Sequence, residues 1–403
     1  MITLIAVLIA TGSGVLTEYL ITNNFLFSCI EWVFTQWFEA YKLVSMNEQI
    51  NNHGEPMYKA ILFLFVSLYC QLGLAQTEAV HNIAEFTFES GKKLQNMKVG
   101  YVTHGTLNAN KSNAILITHG TSGNRLGYNI YIGPNKAFDT NKYFVIAVDA
   151  IGGGTSTSPQ STGLGIDFPR YTIRDMVNAQ HDLVTKGLGI NKLVAVGGPS
   201  MGSFQGLEWG INYPDAMSGL VLIVPAPRAE NTFKMIVDTM NKCVELDPVW
   251  NGGRYTQNPT QGLRCAGMVF TPWLSSDIFV SMQRTPEEYN NLLNAMGGNF
   301  AGWDAINWMW RYYASRDHDI AKPFGGNLNA ALAKIKAKSI LLPSVTDRTL
   351  PPEGARELYR GLKDATYAEI PSIRGHGANN PGSENAGEYL FISEHLKRFL
   401  SSL

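Results

Sequence analysis

Short apolar runs alternate along the chain with stretches in which apolar side chains recur every three or four positions. Ala84 to Ser90 and Gln95 to His104 alternate apolar and polar residues, as strands with one solvated face do. The turn residues Ser90-Gly91-Lys92-Lys93 between them predict an antiparallel pair. Ala114 to Thr118, Tyr143 to Val148, Leu193 to Val196, Gly219 to Val224 and Ser339 to Pro343 show no alternation. They are short apolar segments of the kind buried on both faces of a parallel sheet. Helical spacing fills several of the gaps. Thr172 opens one segment, with Asp175 three residues on as in a capping box, and Ile173, Met176, Val177, Leu183 and Val184 form its apolar stripe. Met201, Phe204, Leu207 and Ile211 form another, which Tyr213-Pro214 stops. Strands alternating with helices predict an α/β fold around a mostly parallel central sheet.

The strand rhythm stops between Val224 and Ser339, where the sequence turns helical and carries Trp250, Trp273, Trp303, Trp308 and Trp310. We read residues 228–335 as an inserted helical cap, with core segments 76–227 before it and 336–403 after it. The second core segment continues with a helix begun by Pro351-Pro352-Glu353, a short strand near Thr366 to Ile370 and a terminal helix from about Ala386 to Leu400. No internal repeat or low-complexity tract interrupts this order.

A chain of 403 residues, 45% hydrophobic and 16% charged, is long enough for a large core plus an inserted subdomain. A net charge of −1 with no basic run provides no field for nucleic acid or an anionic membrane surface. Met57-Tyr58-Lys59 followed by the apolar run Ile61 to Leu74 has the layout of a signal peptide over 57–75, with Gly73-Leu74-Ala75 at the cleavage site. Residues 1–56 then either precede the true start at Met57 or include a membrane segment, Ile2 to Leu20, interrupted by Thr11-Gly12-Ser13-Gly14 and Glu18. The first alternative predicts an exported protein, periplasmic or secreted; the second predicts membrane attachment. Removal of everything through Ala75 leaves Cys243 and Cys265, as one disulfide or as two buried thiols. The thiol reading is preferred here because spacing alone does not fix their separation.

Candidate chemistry centres on Gly197-Gly198-Pro199-Ser200-Met201-Gly202, where a buried strand meets a helix. A serine hydroxyl is a weak nucleophile. It must stand on a sharp turn where a base can reach it and backbone N–H groups face the developing oxyanion. Gly198 and Gly202 leave room for that turn. The histidines after Ser200 are His318, His376 and His395. His376 lies in a glycine-flanked loop after a short strand and is our candidate base. Asp347, in the loop after Ile340 to Pro343, is the candidate group that orients it, its other reading being a turn carboxylate paired with Arg348. For the oxyanion we select the N–H groups of Met201 and of Thr121, the latter in Thr118-His119-Gly120-Thr121-Ser122-Gly123. No His, Cys and acidic residues cluster with metal-ligand spacing, and neither metal nor cofactor is expected.

From about Phe86 onward the chain resembles the homoserine O-acetyltransferase family of the α/β-hydrolase superfamily. The resemblance lies in Ile132-Gly133-Pro134, Ala137-Phe138-Asp139-Thr140, Tyr143-Phe144-Val145-Ile146, Thr172-Ile173-Arg174-Asp175-Met176-Val177, Ser200-Met201-Gly202 with Gln205, Leu207-Glu208-Trp209, Tyr213-Pro214, Asp247-Pro248 with Trp250-Asn251-Gly252-Gly253, Asp347 with Pro351-Pro352, and Gly375-His376. It implies the α/β-hydrolase fold and a Ser200–His376–Asp347 triad acting through an acyl-serine. Family members that acetylate homoserine carry an arginine in the cap and an aspartate after the catalytic histidine. Asn241 and Gly377 stand at those places here. The expectation is therefore an exported ester hydrolase acting on a small ester or acyl substrate, with an aromatic cap as acyl pocket. The alternatives are an O-acetyltransferase that moves acetyl from acetyl-CoA to homoserine or a similar alcohol, and a non-catalytic binding protein of the same fold. The resemblance is also compatible with a homodimer.

Overall fold

The computed structural model describes residues 76–403. The expected signal peptide at 57–75 and the extension at 1–56 lie outside the described residues. Strands β1 (Gln76–Thr87) and β2 (Lys93–His104) pair antiparallel, with a register running from Gln76↔His104 to Thr87↔Lys93. β1 begins at Gln76 rather than near Ala84. Its first half is a largely exposed edge rich in polar residues, so little alternation marks it.

The rest of the main sheet consists of β3 (Ala114–Ile117), β6 (Phe144–Val148), β7 (Leu193–Pro199), β8 (Met217–Ile223), β9 (Lys338–Leu342) and β10 (Ala365–Tyr367). Two-residue strands β4 (Ile132–Gly133) and β5 (Phe138–Asp139) pair with each other in a separate small sheet. The eight-stranded order is β1-β2-β6-β3-β7-β8-β9-β10, antiparallel at β1/β2 and β2/β6 and parallel elsewhere.

The missing alternation in the central strands now has its cause. Leu116, Ile146, Val196, Leu220 and Leu341 face one hydrophobic core, whereas Ile115, Val145, Ala195, Val221 and Ile340 face a second. Each fully buried aliphatic side chain contributes about 1.5–3 kcal/mol, so neither face tolerates polar residues.

The first core contains helices α1 (Ile173–Asp182) and α2 (Met201–Asn212). The expected capping box is formed: the Asp175 N–H donates to Thr172 Oγ1 at 3.1 Å and the Thr172 N–H donates to Asp175 Oδ2 at 2.9 Å. Leu183 to Gly187 continue α1 as one wider π-helical turn.

Between β8 and β9 lie α3 (Asn231–Glu245), α4 (Thr260–Leu274), α5 (Asp277–Ser281), α6 (Pro286–Ala301), α7 (Ala305–Arg316) and α8 (Leu328–Leu332). Cys243 on α3 and Cys265 on α4 have Cα atoms 5.8 Å apart and form a disulfide. This corrects the preference for two buried thiols. Cys265 is on the exposed side of α4, opposite the apolar residues that the helix buries, where a free thiol would gain nothing from burial.

Most cap tryptophans serve packing. Trp308 lies 4.5 Å from the Tyr312 ring and 5.1 Å from Phe300, and Trp310 donates its indole N–H to the Phe168 carbonyl at 3.1 Å. After the cap come α9 (Pro352–Gly361) and α10 (Gly387–Leu400), the latter closing the second core with Ile392, Leu396 and Phe399. Among the described residues no helix is long and apolar enough to cross a membrane.

Candidate active site

Ser200 sits between the end of β7 and the start of α2 with φ 56 and ψ −120, a backbone conformation that side chains other than glycine rarely adopt. Thr118 crowds the glycines two positions to either side. A Cβ at Gly198 would lie 2.1 Å from the Thr118 carbonyl oxygen, and one at Gly202 would lie 2.9 Å from Thr118 Oγ1. Gly197, with φ +149, would place a Cβ 1.9 Å from the Val221 carbonyl oxygen. The turn is held by the Ser200 N–H donating to the Ile223 carbonyl at 2.9 Å, and by Ser203 N–H and Oγ donating to the Ser200 carbonyl at 2.8 and 2.6 Å.

Residues from three separate loops meet at the serine. His376 Nε2 is 2.9 Å from Ser200 Oγ and His376 Nδ1 is 2.6 Å from Asp347 Oδ2. A carboxylate can only accept from Nδ1, which leaves Nε2 free to accept the serine proton. The second Asp347 oxygen accepts from the N–H groups of Thr349 and Leu350 at 2.8 and 2.9 Å. That arrangement fixes the carboxylate plane. Arg348, the alternative partner for Asp347, pairs instead with Asp277. The loop of Asp347 is also tied to the end of α4 and the loop of His376 to the start of α5. Thr349 Oγ1 donates to the Trp273 carbonyl at 2.9 Å, and Ser276 Oγ bonds the Ile373 carbonyl.

The segment Thr118 to Gly123 runs beside the serine: a Cβ on Gly120 would come 3.6 Å from Ser200 Cβ. Neither the Thr121 nor the Met201 N–H donates to a backbone acceptor among the described residues, so both donors remain available. His119 organises this segment. Its Nδ1 faces the Gly120 carbonyl at 2.7 Å and its Nε2 accepts from the Ala150 N–H at 3.0 Å, so only the neutral Nδ1–H tautomer satisfies both contacts. Burial, reinforced by the nearby Arg311 charge, lowers the His119 pKa to about 4.

The other sequence candidates lie elsewhere. His318 is buried and stacked on Phe204 with centroids 4.2 Å apart, and burial lowers its pKa to about 3. His395 bonds its own helix, at the Phe391 carbonyl. Asn241 is buried on α3 with both amide atoms unpartnered among the described residues, and a Cβ on Gly377 would meet none of their atoms within 4 Å. Sequence reasoning missed Arg311, whose only visible signal is a lone cation inside the aromatic run Trp308-Met309-Trp310-Arg311-Tyr312-Tyr313.

The profile of the α/β hydrolase fold family matches residues 113–331. The homoserine O-acetyltransferase of Methanohalobium evestigatum is 34% identical over 349 residues, which span 76% of this chain and 71% of that one. The chain is a homoserine O-acetyltransferase-like member of the α/β hydrolase fold family. Among solved structures, an acetylester hydrolase from Corynebacterium glutamicum matches with a TM-score of 0.76 and 29% identity, covering 81% of this chain and 96% of that one. A homoserine O-acetyltransferase from Bacillus anthracis matches with a TM-score of 0.73 and 27% identity, covering 81% and 97%. The protein is an enzyme of this fold, an acyltransferase or an esterase.

Proposed function

We propose that this enzyme is an O-acyltransferase that carries a short acyl group from an activated ester or thioester, through an ester on Ser200, to the hydroxyl of a small alcohol. The supporting observation is the continuous contact Asp347–His376–Ser200, at 2.6 and 2.9 Å. Ser200 Oγ attacks the donor carbonyl as its proton passes to His376 Nε2, and Asp347 stabilises the resulting imidazolium. The N–H groups of Met201 and Thr121 receive the oxyanion. Collapse breaks the bond to the leaving group, which takes the proton from His376. The acceptor hydroxyl then repeats the sequence in reverse, and the acylated alcohol leaves. The curated homoserine O-acetyltransferase relative supports an alcohol as acceptor.

A second reading, hydrolysis with water as acceptor, is favoured by Asn241 and Gly377. A neutral amide and an empty position offer no counter-charge to the carboxylate and ammonium of an amino-acid acceptor. The acetylester hydrolase likeness points the same way. Our reading therefore places a neutral alcohol ahead of homoserine. Incubation with acetyl-CoA or p-nitrophenyl acetate, in the presence of glycerol, 1-propanol or homoserine, separates the two readings. We expect O-acetyl product to form faster than acetate with a neutral alcohol. Acetate alone at every acceptor concentration would establish hydrolysis instead.

A further inference from the structure

Arg311 enters the core from the middle of α7 and is 1% exposed. Its Nη1 donates to the Gly123 carbonyl at 2.8 Å and the Thr121 carbonyl at 3.2 Å. Among the described residues Nε and Nη2 make no hydrogen bond of good geometry, although the Tyr171 hydroxyl is beside the guanidinium, which lies 4.8 Å from the Trp303 ring centroid. Its direct hydrogen bonds therefore go to backbone carbonyls. A buried cation without a carboxylate in contact is costly, and it needs a reason beyond packing.

The carbonyls it holds supply that reason. Peptide planarity makes each N–H point opposite the carbonyl of its own unit. The unit carrying the Thr121 N–H is held by its Gly120 carbonyl, which faces His119 Nδ1 at 2.7 Å and accepts from the Gly123 N–H at 2.9 Å. Arg311 holds the next unit by the Thr121 carbonyl. Both peptide planes flanking the Thr121 Cα are thereby fixed. A third tie comes from the same cap helix: Thr121 Oγ1 and Ser315 Oγ are 2.9 Å apart.

We propose that Arg311 is a positioning residue for oxyanion stabilisation, a cation delivered by the cap to lock the peptide planes around Thr121 so that its N–H is aimed before substrate arrives. Preorganised donors stabilise the transition state and not the ground state, so the loss on removal falls on kcat. The inference rests on Ser200 as acyl carrier and goes beyond it by making the cap part of the oxyanion machinery.

The test is p-nitrophenyl acetate turnover by full-chain Arg311→Lys and Arg311→Met beside the wild type, with melting curves and the rate of fluorophosphonate labelling at Ser200. For Arg311→Met we expect kcat to fall about 10- to 100-fold with KM nearly unchanged, the pattern of a lost transition-state donor. Arg311→Lys should recover part of the loss, since one ammonium reaches one of the two carbonyls. A cooperatively melting Arg311→Met with kcat within about twofold of wild type, or with the loss confined to KM, overturns the inference. If both variants fail to fold, Arg311→Gln decides, because it keeps an N–H donor, removes the buried charge and alters the contacts to the Thr121 and Gly123 carbonyls directly. A kcat lowered about 3- to 10-fold supports the inference and an unchanged kcat overturns it. A wild type that turns over without labelling at Ser200 sinks the acyl-serine reading and this inference together. Labelling at wild-type rate in Arg311→Met sinks this inference alone.

Discussion

At the scale of single residues, protonation states carry as much information as distances. His119 and His318 are both buried, and burial first, with Arg311 and Arg174 respectively second, lowers their pKa values to about 4 and about 3. In the unfolded chain each would titrate near 6.5. Between pH 6.5 and about 4 the unfolded state therefore binds protons that the folded state refuses. Their contribution to stability is complete above pH 6.5 and is lost as pH falls below it. At pH 5, unfolding should take up about two protons through these side chains. Replacing His318 by Phe, which retains a ring against Phe204, should flatten the acid limb of stability by roughly 1 kcal/mol per pH unit between pH 6 and 5. Urea unfolding of both proteins at pH 5, 6 and 7 checks this, and equal slopes would contradict it.

At the scale of elements, the turn at Ser200 shows why local signals were legible. Its glycines are required by backbone within a few ångströms, and a strand, a small-residue turn and an apolar helix follow one another in sequence. Gly198→Ala would force a methyl to 2.1 Å from the Thr118 carbonyl, so we expect it to destabilise the protein by about 1–3 kcal/mol and to abolish Ser200 labelling. Gly298 on α6 is the control: nothing lies within 4 Å of its Cβ position, and Gly298→Ala should stabilise by about 0.5–1 kcal/mol. Melting curves and labelling of the two variants provide the comparison, and a Gly198→Ala protein as stable and as readily labelled as wild type would contradict it. Signals that depend on distant partners were not legible. The first half of β1 is an exposed edge whose pairing with β2 is what makes it a strand. Arg311 meets Thr121 across 190 positions, and nothing near Arg311 in the chain announces that contact. The Cys243–Cys265 bridge likewise depends on how α3 packs against α4, which spacing alone leaves open.

At the scale of the whole molecule, a parallel sheet delivers the carboxyl ends of β7, β9 and β10 to one edge. Loops beyond them then bring Ser200, Asp347 and His376 together. The order of the three was readable because each follows a strand-like segment and the superfamily resemblance sets their sequence. Their separations were not. The helical insertion ties into the same edge from two directions. Trp273 and Ser276 hold the loops of Asp347 and His376, and Arg311 and Ser315 hold the loop of Thr121. On the proposal above, the insertion is part of the catalytic frame.

The most direct measurement is the site of acylation during turnover. The enzyme is mixed with p-nitrophenyl acetate, quenched in acid within the first turnovers, digested, and mapped by mass spectrometry. One acetyl group is expected on the peptide carrying Ser200 in wild type, accumulating no further in Asp347→Asn, and missing from Ser200→Ala together with turnover. Sustained turnover with Ser200 unmodified, or a Ser200→Ala enzyme that keeps wild-type activity, would contradict it.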